Sequence, residues 1–252
     1  FLSIATVIAF FCCLYILDDD RIGSAKKNQR LRYDWWGAIL SAIAMVVLIV
    51  TINNPFNLPI FSTIMVLGSA IAIILFGIFV WWELKTESPM VDLRLFRNTV
   101  YRYAIITRLV AFMSTTSTVF IMPIFLQSVR GTGEAVTGAI MFVSALGMGI
   151  AAQASGRLSD KLGYRRFTFM GFVILIGTSL TFSTFEIQTS FFIIAPILFL
   201  NGIGMGLWSA PNMSATMGAV DNKVYGSVSA FANLTRNVGN VTGQAIIASI
   251  VT

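Results

Sequence analysis

Histidine is absent from all 252 residues of the chain. Its absence excludes catalysis by Ser-His-Asp or Cys-His groups and excludes histidine-ligated metal sites. Cysteine is nearly absent, because Cys12 and Cys13 are the only two and are neighbours in an apolar run. This arrangement is typical of small apolar residues and indicates no disulfide. We therefore expect no enzyme active site, no metal and no cofactor.

Charge is scarce as well. Only 11% of the residues are charged, 56% are hydrophobic and the mean hydropathy is +0.82, whereas a soluble domain is about 25% charged. Since a membrane crossing takes about 20 mostly apolar residues, the sequence predicts eight spans, at roughly 1–17, 35–53, 62–82, 103–128, 136–155, 167–185, 190–210 and 226–252. The predicted fold is an all-α, polytopic helical bundle, integral to the cell membrane and multi-pass. Both ends fall inside apolar sequence, which we interpret as an internal fragment of a longer protein.

Cationic residues are distributed unevenly between the connections. The first, third, fifth and seventh connections carry 14 of the 17 lysines and arginines, and Arg130 is the one cation in an opposite connection. Loops rich in Lys and Arg stay on the cytoplasmic side of a membrane. The net charge of +6 therefore indicates topology, and we expect no nucleic-acid partner.

The fifth connection contains the most informative motif. Gly156–Arg166 reads GRLSDKLGYRR, with four cations and one carboxylate. At every position this run resembles the signature loop of the major facilitator superfamily, G-x-x-x-D-[RK]-x-G-x-[RK]-[RK]; the alternative is a basic loop that only fixes orientation. The resemblance implies a transporter whose two halves rock about a central site. It also implies a loop that latches one conformation, formed by Gly156, Arg157, Asp160, Lys161, Gly163, Arg165 and Arg166.

Further stretches are similar to fourteen-span drug:proton antiporters. They are YDWWGAIL (Tyr33–Leu40), PMVDLRLFRN (Pro89–Asn98), NGIGMGLWSAP (Asn201–Pro211) and NLTRNVGNVTGQAI (Asn233–Ile246). The resemblance implies that 1–17 end the sixth span and that 18–102 form a cytoplasmic loop, an inserted central helix pair and a linker. It also implies that 103–252 form five of the six helices of the C-terminal half. The segment Pro89–Asn98 is expected to be either a short helix on the membrane surface or an ordinary linker.

The same resemblance implies secondary active transport, namely proton-coupled efflux of drugs or other lipophilic or cationic small molecules by alternating access. The expected partners are a small-molecule substrate, the proton as coupling ion and the lipid bilayer, and the expected oligomeric state is a monomer. Two alternatives remain open. One is a carrier of another solute, such as a siderophore, a sugar or a metabolite, and the other is a non-transporting membrane scaffold or sensor.

Polar residues of the eighth predicted span fall on one face. Asn233, Asn237, Asn240 and Gln244 are spaced i, i+4, i+7 and i+11, which at about 100° per residue forms one stripe. Arg236 lies in the same turn and needs an acceptor or water. The stripe predicts either a substrate cavity or hydrogen bonds between helices.

Two other spans complete the candidate substrate-binding set. Its further members are Asn201, Met205 and Trp208 in the seventh span and Ser114, Ser117 and Ile121 in the fourth. The first three predict either an aromatic pocket or simple helix packing, and the second three share a face that we expect to line the cavity. Arg108 lies near the cytoplasmic end of the fourth span and is expected to extend towards the interface.

All eleven acidic residues fall in connections or at helix ends, and Glu83 comes closest to a span. Proton-coupled transporters use a carboxylate inside the membrane that loads and releases protons. We therefore expect the proton-coupling residue to lie outside these 252 residues.

We predict that the connections near residues 26, 92 and 161 face the cytoplasm and that those near 57, 131 and 187 face outward, because of the cation bias. Single cysteines at these positions, in a background carrying Cys12→Ser and Cys13→Ser, can be labelled on intact cells with an impermeant maleimide. Labelling is expected only at the second group. Labelling of position 161 from outside would contradict the topology.

Overall fold

The computed structural model describes residues 11, 34–54, 58–59, 62–86, 89 and 92–251. Across these residues the chain forms seven α-helices and no strand: α1 (Trp35–Asn53), α2 (Thr63–Lys85), α3 (Thr99–Ile124), α4 (Glu134–Leu162), α5 (Tyr164–Phe182), α6 (Phe191–Gly218) and α7 (Tyr225–Val251). Five of them (α1, α2, α3, α4 and α6) are long and apolar enough to cross a membrane. The all-α membrane fold is thereby confirmed. The first predicted span, 1–17, lies outside the described residues except for Phe11.

Polar side chains at the edges of the apolar runs determine where four of the helices begin. Asp34 accepts a hydrogen bond from the backbone N–H of Gly37 at 2.9 Å, and Asn98 accepts from two N–H groups in the first turn of α3 at 2.9 and 3.3 Å. Ser62 and Ser190 cap α2 and α6 in the same way. Each cap satisfies an N–H group that has no partner within its own helix, which contributes about 1 kcal/mol.

α1 and α2 form an antiparallel hairpin. Its connection begins at Asn54, which adopts a positive φ of 42° and whose side-chain amide bonds the N–H and the C=O of Leu58 at 2.9 and 2.7 Å. At the opposite end, Trp82 Nε1 donates to both carboxylate oxygens of Asp34 at 3.2 Å. The start of α1 and the end of α2 therefore meet.

The charged motif Gly156–Arg166 is almost entirely helical. α4 continues to Leu162 and α5 begins at Tyr164, so that Gly163 alone joins the two helices. Its φ of +91° is a conformation that residues with a Cβ rarely adopt. The two helices therefore extend beyond the predicted span limits at 155 and 167, because a helix can continue past the bilayer into water, where hydropathy gives no signal for it.

The linker before α3 contains a short 3₁₀ helix, Leu93–Arg97, capped by Asp92. Its Phe96 ring lies edge-on to Tyr101 of α3 at 5.4 Å and to Phe231 of α7 at 5.7 Å. This segment therefore contains a short helix, and its aromatic side chain packs on protein.

α6 is the central helix of this bundle and contacts α3, α4 and α5. It runs parallel to α4, and the two backbones approach each other closely. A Cβ on Gly206 would lie 2.5 Å from the carbonyl oxygen of Met148, and a Cβ on Gly202 would overlap the carbonyl oxygen of Ser144. The hydroxyl of Ser155 donates to the carbonyl oxygen of Gly206 at 3.0 Å. Small residues thus allow the two backbones to touch, as is common between helices in membranes.

The connections predicted to share one side of the membrane meet at one end of the bundle. Asn98, before α3, donates from Nδ2 to the carbonyl oxygen of Ala219, after α6, at 2.9 Å. Tyr164, at the start of α5, places its hydroxyl beside Gly218, where an added Cβ would lie 3.7 Å away. The third, fifth and seventh connections therefore lie together, in agreement with the distribution of cations.

Gly202→Ala is expected to destabilise the protein, because the added Cβ would overlap the carbonyl oxygen of Ser144 and overpacking costs about 1–3 kcal/mol. Gly177→Ala on α5 is the matched control, since a Cβ there meets nothing within 4 Å. The control should be neutral or more stable, because alanine favours a helix over glycine by about 1 kcal/mol. Thermal unfolding of the purified protein measures both. Equal melting temperatures would contradict the close approach.

Candidate functional site

α7 packs on α3 through a face of small residues. The two helices run parallel. A Cβ on Gly239 would lie 2.9 Å from the carbonyl oxygen of Leu109, and one on Gly243 would overlap that of Met113. Ala232, on the same face, is fully buried. This contact fixes which side of α7 is covered and which side is open.

The polar stripe of α7 lies more than a quarter-turn from that buried face, at about 100° per residue. Asn233 and Asn237 are exposed, and Asn240 and Gln244 are half-buried. Asn240 Oδ1 accepts a hydrogen bond from the hydroxyl of Thr116 on α3 at 2.6 Å. The stripe is therefore divided, since Asn240 connects two helices while Asn233 and Asn237 face away from α3.

Arg108 is buried between α3 and α7. Its side chain is 7% exposed, its Nε donates to the carbonyl oxygen of Ala232 at 3.1 Å and its guanidinium lies 5.3 Å from the centre of the Phe112 ring. The expectation that Arg108 extends to the interface is therefore wrong, because a helix carbonyl and an aromatic face hold it inside the bundle. Arg236 of α7, in contrast, is exposed.

The three candidates on α6 lie in its packed core. Asn201 donates from Nδ2 to the hydroxyl of Thr178 on α5 at 3.0 Å. Trp208 is fully buried, with the Phe172 ring stacked on it at 5.8 Å and Phe112 edge-on at 5.3 Å. Met205 packs against the same cluster. For these residues the geometry favours the packing alternative over an open aromatic pocket.

Ser114, Ser117 and Ile121 line an open groove between α3 and α5. Two adjoining parts of the groove have volumes of about 420 and 310 Å³, and Ser114 lines both. The structure therefore does not bring the candidates together, since the three sets occupy the open side of α7, the core of α6 and the groove of α3.

The charged residues of the signature motif are exposed at the end of the bundle where α4 meets α5. Arg157, Asp160, Lys161, Arg165 and Arg166 all present their side chains to solvent. No ion pair joins them within the described part of the chain. They are accessible to a segment beyond these helices.

Sequence reasoning missed the burial of Glu83. This residue lies at the end of α2, as predicted, but inside the helix, and is 3% exposed. Gly37 of α1 lies between the two carboxylates of the hairpin, since a Cβ there would be 2.6 Å from Asp34 Oδ2 and 2.9 Å from Glu83 Oε1. The pair Trp81–Trp82 before it indicates an interfacial helix end but gives no signal for the burial of the carboxylate. In the described residues no three His, Cys, Asp or Glu side chains are grouped as metal ligands.

Comparison with known protein families supports the resemblance that the signature motif suggested. The family model described as Major Facilitator Superfamily matches residues 1–244. The chain belongs to the major facilitator superfamily. It is accordingly a multi-pass integral protein of the cell membrane, and its all-α bundle is of the major facilitator type.

Curated members of the superfamily match most of the chain. The uncharacterized MFS-type transporter YhcA of Bacillus subtilis (strain 168) is 25% identical over 99% of this chain and 45% of YhcA. The multidrug resistance protein Stp of Mycobacterium tuberculosis (strain ATCC 25618 / H37Rv) is 29% identical over 88% of this chain and 42% of Stp. The riboflavin transporter RibZ of Clostridioides difficile (strain 630) is 24% identical over 88% of this chain and 47% of RibZ. The chain spans less than half the length of these relatives.

Asn240→Ala is expected to lower the melting temperature of this superfamily member, because it removes the hydrogen bond from Thr116. Such interhelical bonds contribute about 0.5–1.5 kcal/mol. Asn237→Ala, one turn away on the same stripe, is the matched control and should leave stability unchanged because its side chain is exposed. Thermal unfolding in detergent distinguishes the two. A larger loss for Asn237→Ala would show that the assignment of the two roles is reversed.

Proposed function

We propose that the full-length protein is a secondary transporter that exports drugs or other lipophilic small molecules by proton-coupled alternating access. The observation that carries the proposal is the open side of α7, where Asn233 and Asn237 face away from their own bundle. Carboxamides in a spanning helix are unfavourable in lipid, so they face a protein interior or a water-filled cavity. Membership of the superfamily and the relative named as a multidrug resistance protein support the same function.

The proposed binding surface combines fixed and adaptable parts. Asn233, Arg236 and Asn237 contact the substrate directly, and carboxamides suit varied substrates because each offers both a donor and an acceptor. Asn240 and Gln244 continue the surface along α7, while Asn201, Met205 and Trp208 hold α6 in place behind it. Ser114, Ser117 and Ile121 line the separate groove of α3 and are proposed to contact substrate only if it extends there.

The proposed layout of the full-length protein follows the resemblance to fourteen-span antiporters. The hairpin α1–α2 is the inserted central pair, and α3 to α7 are five of the six helices of the C-terminal half. The helices α3 to α7 contain two carboxylates, Glu134 and Asp160, at the two ends of α4, and Glu186 and Asp221 lie in the connections. The proton-coupling carboxylate is therefore proposed to lie outside this half, and the protein is proposed to act as a monomer.

A second candidate function is export or import of a metabolite. The relative named as a riboflavin transporter matches 88% of the chain, and the neutral carboxamides of α7 do not by themselves select a charged drug. The fold and the binding surface are the same for both functions, which differ only in the substrate.

Proteoliposomes containing the full-length protein test both functions. Export of ethidium, a lipophilic cation, and of riboflavin, a neutral metabolite, is measured by fluorescence with and without an imposed pH gradient. Ethidium export that depends on the gradient supports the first function, and transport of riboflavin alone supports the second. Absence of transport for both compounds would refute the proposed function in either form.

Asp160→Asn is expected to slow turnover by roughly 10-fold with little change in substrate affinity, because the carboxylate is proposed to stabilise one conformation through partners that the other lacks. Asp221→Asn, an exposed carboxylate at the same end of the bundle, is the control and should transport normally. Initial rates and equilibrium binding are measured on the same preparations. A normal turnover rate for Asp160→Asn would refute the latch.

A further inference from the structure

Two arginines from different helices approach the same backbone carbonyl group. Arg108 Nε donates to the carbonyl oxygen of Ala232, which is also the acceptor for the backbone N–H of Arg236 in the regular hydrogen-bond pattern of an α-helix. Side chains on a helix lean towards its N-terminus, so that of Arg236 leans back towards Ala232 and Arg108. The side chain of Arg108 and the backbone N–H of Arg236 therefore point to the same carbonyl oxygen.

Both guanidinium groups lie well inside their helices. Arg108 is nine residues from the start of α3 and Arg236 eleven from the start of α7, which at 1.5 Å per residue is about 14 and 16 Å. Charged side chains within spanning helices are costly and usually pair with a partner or face a water-filled cavity. Arg108 of α3 and Arg236 of α7 therefore place two positive charges near the same turn of α7.

No anion on the neighbouring helices neutralises this charge. α1, α3, α5, α6 and α7 contain no Asp or Glu within their bounds, and the two carboxylates of α4 lie at its ends. α1 also contacts α7, and the carboxylates of its hairpin are Asp34, which caps the start of α1, and Glu83, near the end of α2. Within the described part of the chain neither Arg108 nor Arg236 forms an ion pair. The contacts of Arg108 with a carbonyl oxygen and an aromatic ring reduce the cost of its burial but leave its charge uncompensated.

The donors at this position match a carboxylate. The Nε of Arg108 already donates a hydrogen bond to Ala232, and the side chain is only 7% exposed. Arg108 is therefore expected to act on a bound anion mainly through its charge. Arg236 is exposed and presents the planar fork that bonds both oxygens of a carboxylate. Asn233 and Asn237, exposed on the adjoining stripe, add amide donors beside it.

We propose that Arg236, backed by the charge of Arg108, forms an anion site that binds a carboxylate group. This site is part of the proposed function, because an acidic substrate would reach Arg236 only if substrates pass along α7. The carboxylate has two possible sources, namely an acidic substrate or an acidic side chain elsewhere in the full-length protein. Arg108 is a positioning residue, since it acts on the anion through Arg236 and through the local field.

The test uses the full-length protein in lipid nanodiscs with dansylglycine, a fluorescent monocarboxylate, and its neutral counterpart dansylglycinamide. If the substrate supplies the carboxylate, wild-type protein is expected to bind the acid about 10-fold more tightly than the amide, and Arg236→Gln should remove this preference. Arg236→Lys should retain part of it, because lysine keeps the charge but not the fork. Arg102→Gln, an exposed arginine on α3, is the control and should bind both probes like the wild type.

Melting temperatures of the same variants distinguish the two sources. If the substrate supplies the carboxylate, Arg236→Gln loses the preference for dansylglycine without a fall in melting temperature. If a side chain supplies it, wild-type protein shows no preference, but Arg236→Gln melts roughly 2–4 °C lower and Arg236→Lys restores the loss. An Arg236→Gln protein that matches Arg102→Gln in both measurements overturns the proposal. Neither measurement requires transport, so failed export of ethidium and riboflavin would refute the proposed function without affecting this result.

Discussion

Contact between the backbones of parallel helices is the constraint on which the rest of the structure depends. Lipid provides no hydrophobic driving force between helices, so their association relies on close packing and on polar contacts. Gly202 and Gly206 let α6 touch α4, and Gly239 and Gly243 let α7 touch α3. Because a Cβ at these positions would meet backbone atoms, no repacking of flexible side chains could accommodate it. These contacts fix the register of both helix pairs.

That register determines which polar side chains find partners inside the bundle. Asn201 meets Thr178, Asn240 meets Thr116, and Asn212 donates to the carbonyl oxygen of Ala104 at 3.0 Å. Polar residues on the opposite side of α7 have no such neighbour among the described helices. The carboxamides with a partner inside the bundle and those without one have the same chemistry. Helix packing alone therefore determines which carboxamides stabilise the bundle and which remain available to a ligand.

Much of the fold could be predicted from the sequence, because hydropathy and the clustering of cations depend on local composition. The seven described helices and the common end of the third, fifth and seventh connections follow from these two patterns. The end of α4 at Leu162 could not be predicted, since a charged helix in water has no hydropathy signal. Periodicity placed Asn233, Asn237 and Asn240 on one stripe, but it could not show that Thr116 would reach only one of them. The burial of Arg108 depends on Ala232, which is 124 residues away.

The two arginines also restrict what the rest of the protein must supply. In the proposed transporter, a lipophilic cation approaching α7 meets the positive charges of the exposed Arg236 and the buried Arg108, which repel it. Efflux of cations through this surface therefore requires carboxylates on the facing segment that outweigh Arg108 and Arg236. Such carboxylates would be paired with arginine in one conformation and released in the other, which is the property that a proton-coupling group needs. In the proposed transporter, the charges of Arg108 and Arg236 would thus link the choice of substrate to the mechanism of coupling.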